Sequence, residues 1–260
     1  MTDAPTADFF SRRVLAAGLS YLAFGLFAPF PAFASLLLAV IPMSIERRQT
    51  LTRKLIQWLC WLFVELMQLF GLYRYRVIRE REEIPAGKIV IANHPMLLDA
   101  IFIMAHVPNV CCIAKPALAK NLFTRSTLRQ AGFLVAGQSN FVEQVKLNLS
   151  KGENVLLFPE GTRNESDLEL KFKRGAANLA ILSDYEVLPI VMECKPRALQ
   201  RHQRWYQIPA ELIQIRVTIC RSLKACEHVD TSSPRTLQYR EFTEFLVRYF
   251  RNKLSPQTMN

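Results

Sequence analysis

The sequence predicts an α/β fold, with a mainly parallel or mixed sheet covered by helices and a membrane-associated helical segment at the N-terminus. From residue 73 onward, short apolar runs alternate with helical stretches of about a dozen residues, a pattern typical of a largely parallel sheet with helices on both faces. Before that point, an apolar block without charged side chains extends from Val14 to Met43. Half of the 260 residues are apolar, which is enough for a substantial core.

The apolar block predicts attachment to a membrane. It exceeds the roughly 20 residues that cross a bilayer as one helix, but Pro29, Pro31 and Pro42 interrupt it. Basic residues flank both of its ends, which suits either a single span or a proline-bent hairpin in one leaflet. A buried helix pair in a soluble protein is the alternative. We expect uncleaved attachment to the inner (cytoplasmic) membrane, with the following domain on the cytoplasmic side.

Four segments are predicted: a disordered N-terminus (1–11), membrane-associated helices (12–72), an α/β domain (73–234), and a C-terminal amphipathic helix with a tail (235–260). Apolar residues recur at helical spacing from Leu51 to Leu72, which suits an interfacial helix or one packed on its own domain. The aromatic face of the stretch Arg235–Leu254 is expected to pack on the sheet, with contact to anionic lipid as the alternative.

Apolar runs in the α/β domain predict six strands, and the segments between them predict helices. The predicted strands are Tyr73–Ile78, Lys88–Ala92, Val110–Ala114, Asn154–Phe158, Val187–Met192 and Ile213–Cys220. The predicted helices are Met96–His106, Pro116–Gln130, Phe141–Leu149 and Gly175–Ser183.

Composition limits the partners. The formal net charge of +11 favours acidic partners such as anionic lipid, nucleic acid or an acidic carrier protein. No nucleic-acid-binding motif of the usual types is visible, so we expect no nucleic-acid partner. The six cysteines form no CxxC pair, and the histidines have no metal-ligand spacing, so we expect reduced thiols and no metal site.

Two loops that follow predicted strands carry the candidate chemistry. His94 and Asp99 come directly after the run that ends at Ala92, and ligands bind at such strand ends in open α/β sheets. His94 suits a general base, and Asp99 can orient its imidazole and stabilise the imidazolium. The motif contains no Ser or Cys nucleophile, so direct attack by a substrate hydroxyl is favoured over a covalent intermediate.

The second loop extends from Phe158 to Arg163 and supplies groups that suit an anionic ligand. Gly161 lets backbone amides approach a ligand, and an arginine binds phosphate bidentately. Further positive charge precedes a predicted helix N-terminus, where anions are favoured. The candidate binding residues are Glu160, Gly161, Thr162, Arg163, Lys173, Arg174 and Gly175.

Four ordered elements resemble the motifs of the bacterial lysophospholipid acyltransferases, which include the 1-acylglycerol-3-phosphate and glycerol-3-phosphate acyltransferases. They are His94–Asp99, Phe158–Arg163, Lys173-Arg174-Gly175 and Leu188-Pro189-Ile190, within roughly Tyr73 to Cys220. The resemblance implies acyl transfer to a lipid hydroxyl, from acyl-CoA or acyl-carrier protein as the donor and with no cofactor. It also implies a general base at His94 with Asp99 as its partner, and an acceptor site that includes Glu160, Gly161 and Arg163.

Gln144 departs from that pattern, because the family's second motif usually ends in an arginine that contributes to phosphate binding. Either Arg163, Lys173 and Arg174 compensate for it, or the acceptor is a lipid other than lysophosphatidic acid. The segment from Lys195 to Pro209 is similar to a subgroup found in specialised lipid pathways, including those of aryl polyene lipids. Two further alternatives are a thioesterase that uses the same His-Asp pair on water and a basic membrane- or nucleic-acid-binding protein.

Overall fold

The computed structural model describes residues 7–27, 41–120, 122–163, 170–200, 203–204 and 206–255. Within these residues, seven strands form one sheet. The strands are β1 (Tyr73–Arg79), β2 (Ile89–Ala92), β3 (Val110–Ala114), β4 (Leu134–Val135), β5 (Asn154–Leu157), β6 (Val187–Lys195) and β7 (Ile213–Ile219).

The sheet is mixed, in the order β1-β7-β6-β2-β5-β3-β4. Strand β2 lies between β5 and β6 and pairs parallel with both, and the pairs β3–β5, β3–β4 and β1–β7 are also parallel. Strands β6 and β7 are antiparallel. The carboxyl ends of β2, β3, β5 and β6 therefore meet at one edge of the sheet. The predicted α/β fold with a mixed sheet is confirmed.

Helices cover the sheet on both faces. They are α1 (Ala7–Phe27), α2 (Ile45–Leu69), α3 (Asp99–His106), α4 (Pro116–Lys120), α5 (Leu122–Ala131), α6 (Phe141–Ser150), α7 (Gly175–Ser183) and α8 (Arg235–Leu254). A short 3₁₀ turn spans Ala225–Glu227. Side chains of α1, α2 and α3 pack in a core on one face, and those of α6, α7 and α8 pack in a core on the other.

Alternation along the strands creates the two cores, because successive side chains of a strand point to opposite faces. In β2, Val90 and Ala92 enter the first core, whereas Ile89 and Ile91 enter the second. The C-terminal helix α8 buries its aromatic face in the second core, as predicted, through residues that include Phe242 and Phe250.

Several predicted boundaries were wrong. Helix α1 begins at Ala7, inside the stretch that was predicted to be disordered. Helix α2 begins at Ile45, before the predicted start, and the Ser44 side chain caps it by accepting a hydrogen bond from the Arg47 backbone N–H. The helix predicted from Met96 begins at Asp99, because the chain first makes a turn. The two-residue strand β4 was missed, since it is too short to show a periodicity.

The membrane association predicted for the N-terminal helices stays a prediction. None of the helices in the described residues is both long and apolar enough to cross a bilayer, and residues 28–40 lie outside the described part. Arg13, predicted to flank the apolar block, is buried instead, with Nη2 donating to the Leu72 carbonyl at 3.0 Å and Nη1 to the Pro209 carbonyl at 3.0 Å. One face of helix α2 is buried, but Trp58 and Trp61, which also belong to this helix, are exposed.

A buried ion pair anchors α2 to the rest of the domain. Arg53 Nη2 lies 2.7 Å from Glu153 Oε1, and both side chains are almost fully buried. Arg53 also donates through Nε to Asn109 Oδ1 at 2.8 Å and through Nη1 to the Ala131 carbonyl at 2.7 Å. The guanidinium thus links α2 to three other segments. Burial of the Glu153 carboxyl raises its pKa, and Arg53 opposes that shift.

Replacing Arg53 with methionine should reduce the free energy of unfolding by about 3–5 kcal/mol, because Glu153 would remain as a buried charge without its partner. Urea denaturation, followed by circular dichroism, measures this change. The neighbouring Lys54→Met change is the matched control; Lys54 is exposed, so it should alter stability by less than about 0.5 kcal/mol. Equal effects of the two changes would show that the ion pair is not what anchors α2.

Candidate active site

A histidine and a buried carboxylate meet in the turn that follows β2. His94 Nδ1 lies 2.8 Å from Asp99 Oδ2, and the same oxygen accepts a hydrogen bond from the Met96 backbone N–H at 2.9 Å. Asp99 is the first residue of α3, so the turn from His94 to Leu98 folds the chain back on its own carboxylate. Because the carboxylate accepts from Nδ1, the other ring nitrogen, Nε2, is the one that can accept a proton.

The Asp99 side chain has no solvent exposure. Desolvation by burial raises the pKa of its carboxyl to about 6, and the hydrogen bond and charge of His94 oppose this shift. His94 keeps 20% of its side chain exposed, so the imidazole lies between the buried acid and open space. This is the arrangement in which an acid stabilises an imidazolium that forms during a reaction.

The second predicted loop lies against the first. Glu160 Oε1 accepts a hydrogen bond from the His94 backbone N–H at 2.9 Å, and Glu160 is 7% exposed. The Phe158 ring stacks on the His94 imidazole, with ring centroids 4.4 Å apart. The prediction that Glu160 binds a substrate stays a prediction; its hydrogen bond to the His94 N–H holds the backbone of the candidate base.

Gly161 and Lys173 bring a third segment to the same place. Gly161 has a φ of +73°, which L side chains rarely adopt. A Cβ at this position would lie 2.8 Å from Lys173 Nζ, so the glycine gives room for the ammonium group. The Lys173 backbone N–H donates to the Pro159 carbonyl at 2.9 Å, which fixes the lysine beside the loop.

Arg163 connects this loop to the segment after β6. Its Nη1 donates to the Leu199 carbonyl at 3.0 Å and to the Gln200 carbonyl at 3.1 Å. The Leu97 backbone N–H, from the turn between His94 and Asp99, donates to the same Leu199 carbonyl at 3.2 Å. The segment around Leu199 is therefore held by both predicted loops.

A cavity of about 440 Å³ opens in front of His94 at the carboxyl edge of β2, β3 and β5. It is lined by His94, Phe158, Gly161, Thr162 and Arg163, and by Ile113, Ala114, Lys115, Ala136 and Leu157. Five of these residues come from the two loops that the sequence had singled out. Arg174 and Gly175 do not line it; they form the start of α7. No metal-binding group of three or more His, Cys, Asp or Glu side chains occurs among the described residues.

Sequence reasoning missed several residues that shape the site. The Asn93 side chain exchanges two hydrogen bonds with the Met192 backbone, at 2.8 and 2.7 Å, and so extends the pairing of β2 with β6 up to His94. Phe158 begins the second predicted loop and Asn93 directly precedes His94, and these positions were the available signal. Lys115 and Leu199 carry no such signal, since they enter the site only through the sheet order.

Comparison with known proteins agrees with this geometry. Residues 75–193 match the family model described as Acyltransferase. The 1-acyl-sn-glycerol-3-phosphate acyltransferase of Helicobacter pylori is 31% identical over 114 residues, which cover 41% of this chain and 48% of that protein. The mouse 1-acyl-sn-glycerol-3-phosphate acyltransferase alpha is 31% identical over 157 residues, covering 56% of this chain and 55% of that protein. The chain thus spans about half the length of these relatives.

A solved structure shares the fold over nearly the whole chain. The crystal structure of the 1-acyl-sn-glycerophosphate (LPA) acyltransferase from Thermotoga maritima superposes with a TM-score of 0.69. The alignment covers 96% of this chain and 98% of that one, at 20% sequence identity. The likeness at this identity concerns the fold alone. Residues 75–193, which match the Acyltransferase family model, contain His94, Asp99 and the loop from Phe158 to Arg163.

Proposed function

We propose that this protein is a membrane-bound O-acyltransferase of the lysophosphatidic acid type. It moves a fatty acyl group from acyl-CoA or acyl-carrier protein to the hydroxyl of a lysophospholipid. The observation that carries the proposal is the 2.8 Å contact between His94 Nδ1 and the buried Asp99 carboxylate, at the mouth of a cavity large enough for a lipid headgroup. The acyltransferase relatives support the same reaction class, and nothing in the comparisons supports the thioesterase alternative.

In the proposed reaction, His94 Nε2 takes the proton of the acceptor hydroxyl as its oxygen attacks the thioester carbonyl carbon. The carbon–sulfur bond then breaks, and the imidazolium returns the proton to the departing thiolate. Asp99 holds the imidazole in the required tautomer and offsets its positive charge while the proton resides there. No side chain forms a covalent intermediate in this scheme.

The acceptor's phosphate would meet positive charge in the cavity. Lys115 and Arg163 line the cavity, and Lys173 Nζ lies beside Gly161 at its edge. Gln144, which stands where the family motif has an arginine, instead donates to Oδ1 of Asn140, the residue before its own helix, at 3.1 Å. We infer that Lys115, Arg163 and Lys173 supply the charge that Gln144 lacks, which makes a phosphate-bearing lysolipid the acceptor.

Membrane attachment in this proposal uses the outer sides of α1 and α2. Large apolar side chains there are exposed: Leu15, Leu19, Leu22, Leu51, Trp58, Trp61, Leu69 and Phe70. An apolar surface of this kind is typical of helices that lie in a membrane interface, with tryptophans at headgroup depth. We therefore propose that the protein lies on the inner membrane, on its cytoplasmic side.

The first test is acyl transfer by the purified full-length protein, from a labelled palmitoyl thioester to a panel of lysolipids. We expect labelled phosphatidic acid from lysophosphatidic acid, and a loss of about 10²–10⁴-fold in kcat/KM for His94→Ala and Asp99→Asn. Asp184→Asn, at the exposed C-terminal end of α7, is the matched control and should keep full activity. Undiminished transfer by His94→Ala would refute the assigned base, and release of free palmitate alone would refute the acyltransferase.

The pH dependence of kcat/KM tests the role of Asp99. Because burial raises the pKa of its carboxyl to about 6, Asp99 is ionised at neutral pH and takes up a proton as the pH falls below about 6. The protonated acid no longer offsets an imidazolium, so kcat/KM should fall about tenfold per pH unit below that value. Circular dichroism over the same range must show a folded protein. A rate that stays constant down to about pH 4 would contradict this role.

Membrane attachment is tested by vesicle sedimentation. Replacing both Trp58 and Trp61 with serine should weaken binding to anionic phospholipid vesicles about tenfold or more. In the wild type each exposed indole would leave water when the protein binds the vesicle, and serine removes this contribution to binding. Leu237→Ser, at an exposed apolar position on α8, is the control and should bind as the wild type does. Unchanged binding of the double variant would place the attachment on another surface.

A further inference from the structure

A second large cavity lies away from His94, on the half of the sheet formed by β1, β7 and β6. It has a volume of about 450 Å³, and all of its lining residues belong to these three strands. We call it the basic cleft. Its polar side chains are Arg74 and Arg76 on β1, Gln214 and Arg216 on β7, and Glu193 and Lys195 on β6.

Strand register places these side chains in two rows. Arg74 pairs with Gln214, which pairs with Lys195; Arg76 pairs with Arg216, which pairs with Glu193. Neighbouring strands lie about 4.8 Å apart, so each row spans about 10 Å of sheet surface. Like charges in adjacent positions are destabilising, so the pairing of Arg76 with Arg216 calls for an explanation outside folding stability.

The basic cleft carries excess positive charge. Four of its six polar side chains are cationic and one is acidic. The acid is already engaged, since Arg216 Nη1 lies 3.2 Å from Glu193 Oε2. Among the described residues, Arg74, Arg76 and Lys195 form no ion pair, and all three are exposed. Protection of a sheet edge explains arginines on the edge strand β1, but not the cations on the inner strands β6 and β7.

The basic cleft lies on the face of the sheet opposite to α1 and α2. Along β1, Arg74 and Arg76 alternate with Tyr73 and Tyr75, which pack in the core that contains α1 and α2. The apolar surface proposed to meet the membrane is on the outer sides of those two helices. A ligand in the basic cleft would therefore approach from water, away from the bilayer.

Measured along the direction of the strands, the basic cleft and the candidate active site lie at the same height in the sheet. Asn93, directly before His94, bonds to the Met192 backbone, and Glu193 and Lys195 follow Met192 on the same strand. A partner seated on these rows would thus be next to the edge of the sheet at which the candidate reaction takes place.

We propose that the basic cleft docks the acidic surface of acyl-carrier protein, so that this carrier is the acyl donor. The inference rests on the proposed function and names its donor. The partner must be anionic because the cleft is cationic, and it must be water-soluble because the cleft faces away from the proposed membrane surface. Two rows of charge across three strands offer an extended surface, which suits an acidic protein.

The test compares two donors with one acceptor. Palmitoyl-acyl-carrier protein and palmitoyl-CoA are each assayed with lysophosphatidic acid, using the full-length protein and the double variant Arg74→Gln/Arg76→Gln. We expect the variant to raise the KM for the carrier-linked donor about tenfold, to leave the KM for palmitoyl-CoA within about twofold, and to weaken the dependence on salt. Arg235→Gln/Arg248→Gln, two exposed positions on α8 with the same charge change, should match the wild type for both donors.

Binding of palmitoyl-acyl-carrier protein, measured by calorimetry, separates this inference from the proposed function. Binding that is lost in the cleft variant supports the basic cleft even if the wild type transfers no acyl group. Transfer from palmitoyl-CoA with no carrier binding overturns the docking but keeps the acyltransferase. An equal rise in KM for both donors, or a loss of vesicle binding with unchanged donor kinetics, also overturns it, because the cleft would then hold coenzyme A or lipid.

Discussion

The buried carboxylate of Asp99 is the constraint on which the candidate site depends. A carboxylate without solvent exposure is costly unless it is hydrogen-bonded and faces a positive charge. Oδ2 meets the first need by accepting hydrogen bonds from His94 Nδ1 and the Met96 backbone N–H, and the imidazolium that forms in the proposed reaction would meet the second. These two contacts are possible only when the chain turns sharply between β2 and α3. Burial of the acid thus fixes both the shape of the turn and the direction of the imidazole.

The rest of the site holds that turn in place through hydrogen bonds from three separate segments. Glu160 binds the His94 backbone from the loop after β5, and Asn93 binds β6. The Leu199 carbonyl accepts from both Leu97 and Arg163. Each bond joins residues distant in sequence, so the site forms only when β5, β2 and β6 are in register. A fixed backbone around a candidate base lowers the reorganisation that the reaction requires.

Sequence patterns predicted most of the sheet, because buried strands leave apolar runs that are visible locally; Val110–Ala114 was predicted with its observed bounds. They also placed His94 and Asp99 together, since five residues are within reach of a single turn. They did not predict the contact of Glu160 with the His94 backbone or the burial of Arg13, because carbonyl and amide partners carry no sequence signature. The basic cleft was equally hidden, since its rows exist only through the order β1-β7-β6.

In the proposed function, the two faces of the sheet would meet two different environments. An acyltransferase that uses a membrane lipid and a water-soluble thioester must admit one substrate from an apolar phase and the other from water. Here α1 and α2 present exposed apolar side chains on one side, and the cationic rows of β1, β7 and β6 lie on the other. His94 lies at the sheet edge, where both sides meet, and remains partly open to solvent. In the proposed reaction, neither substrate would therefore have to cross the other's binding surface to reach the imidazole.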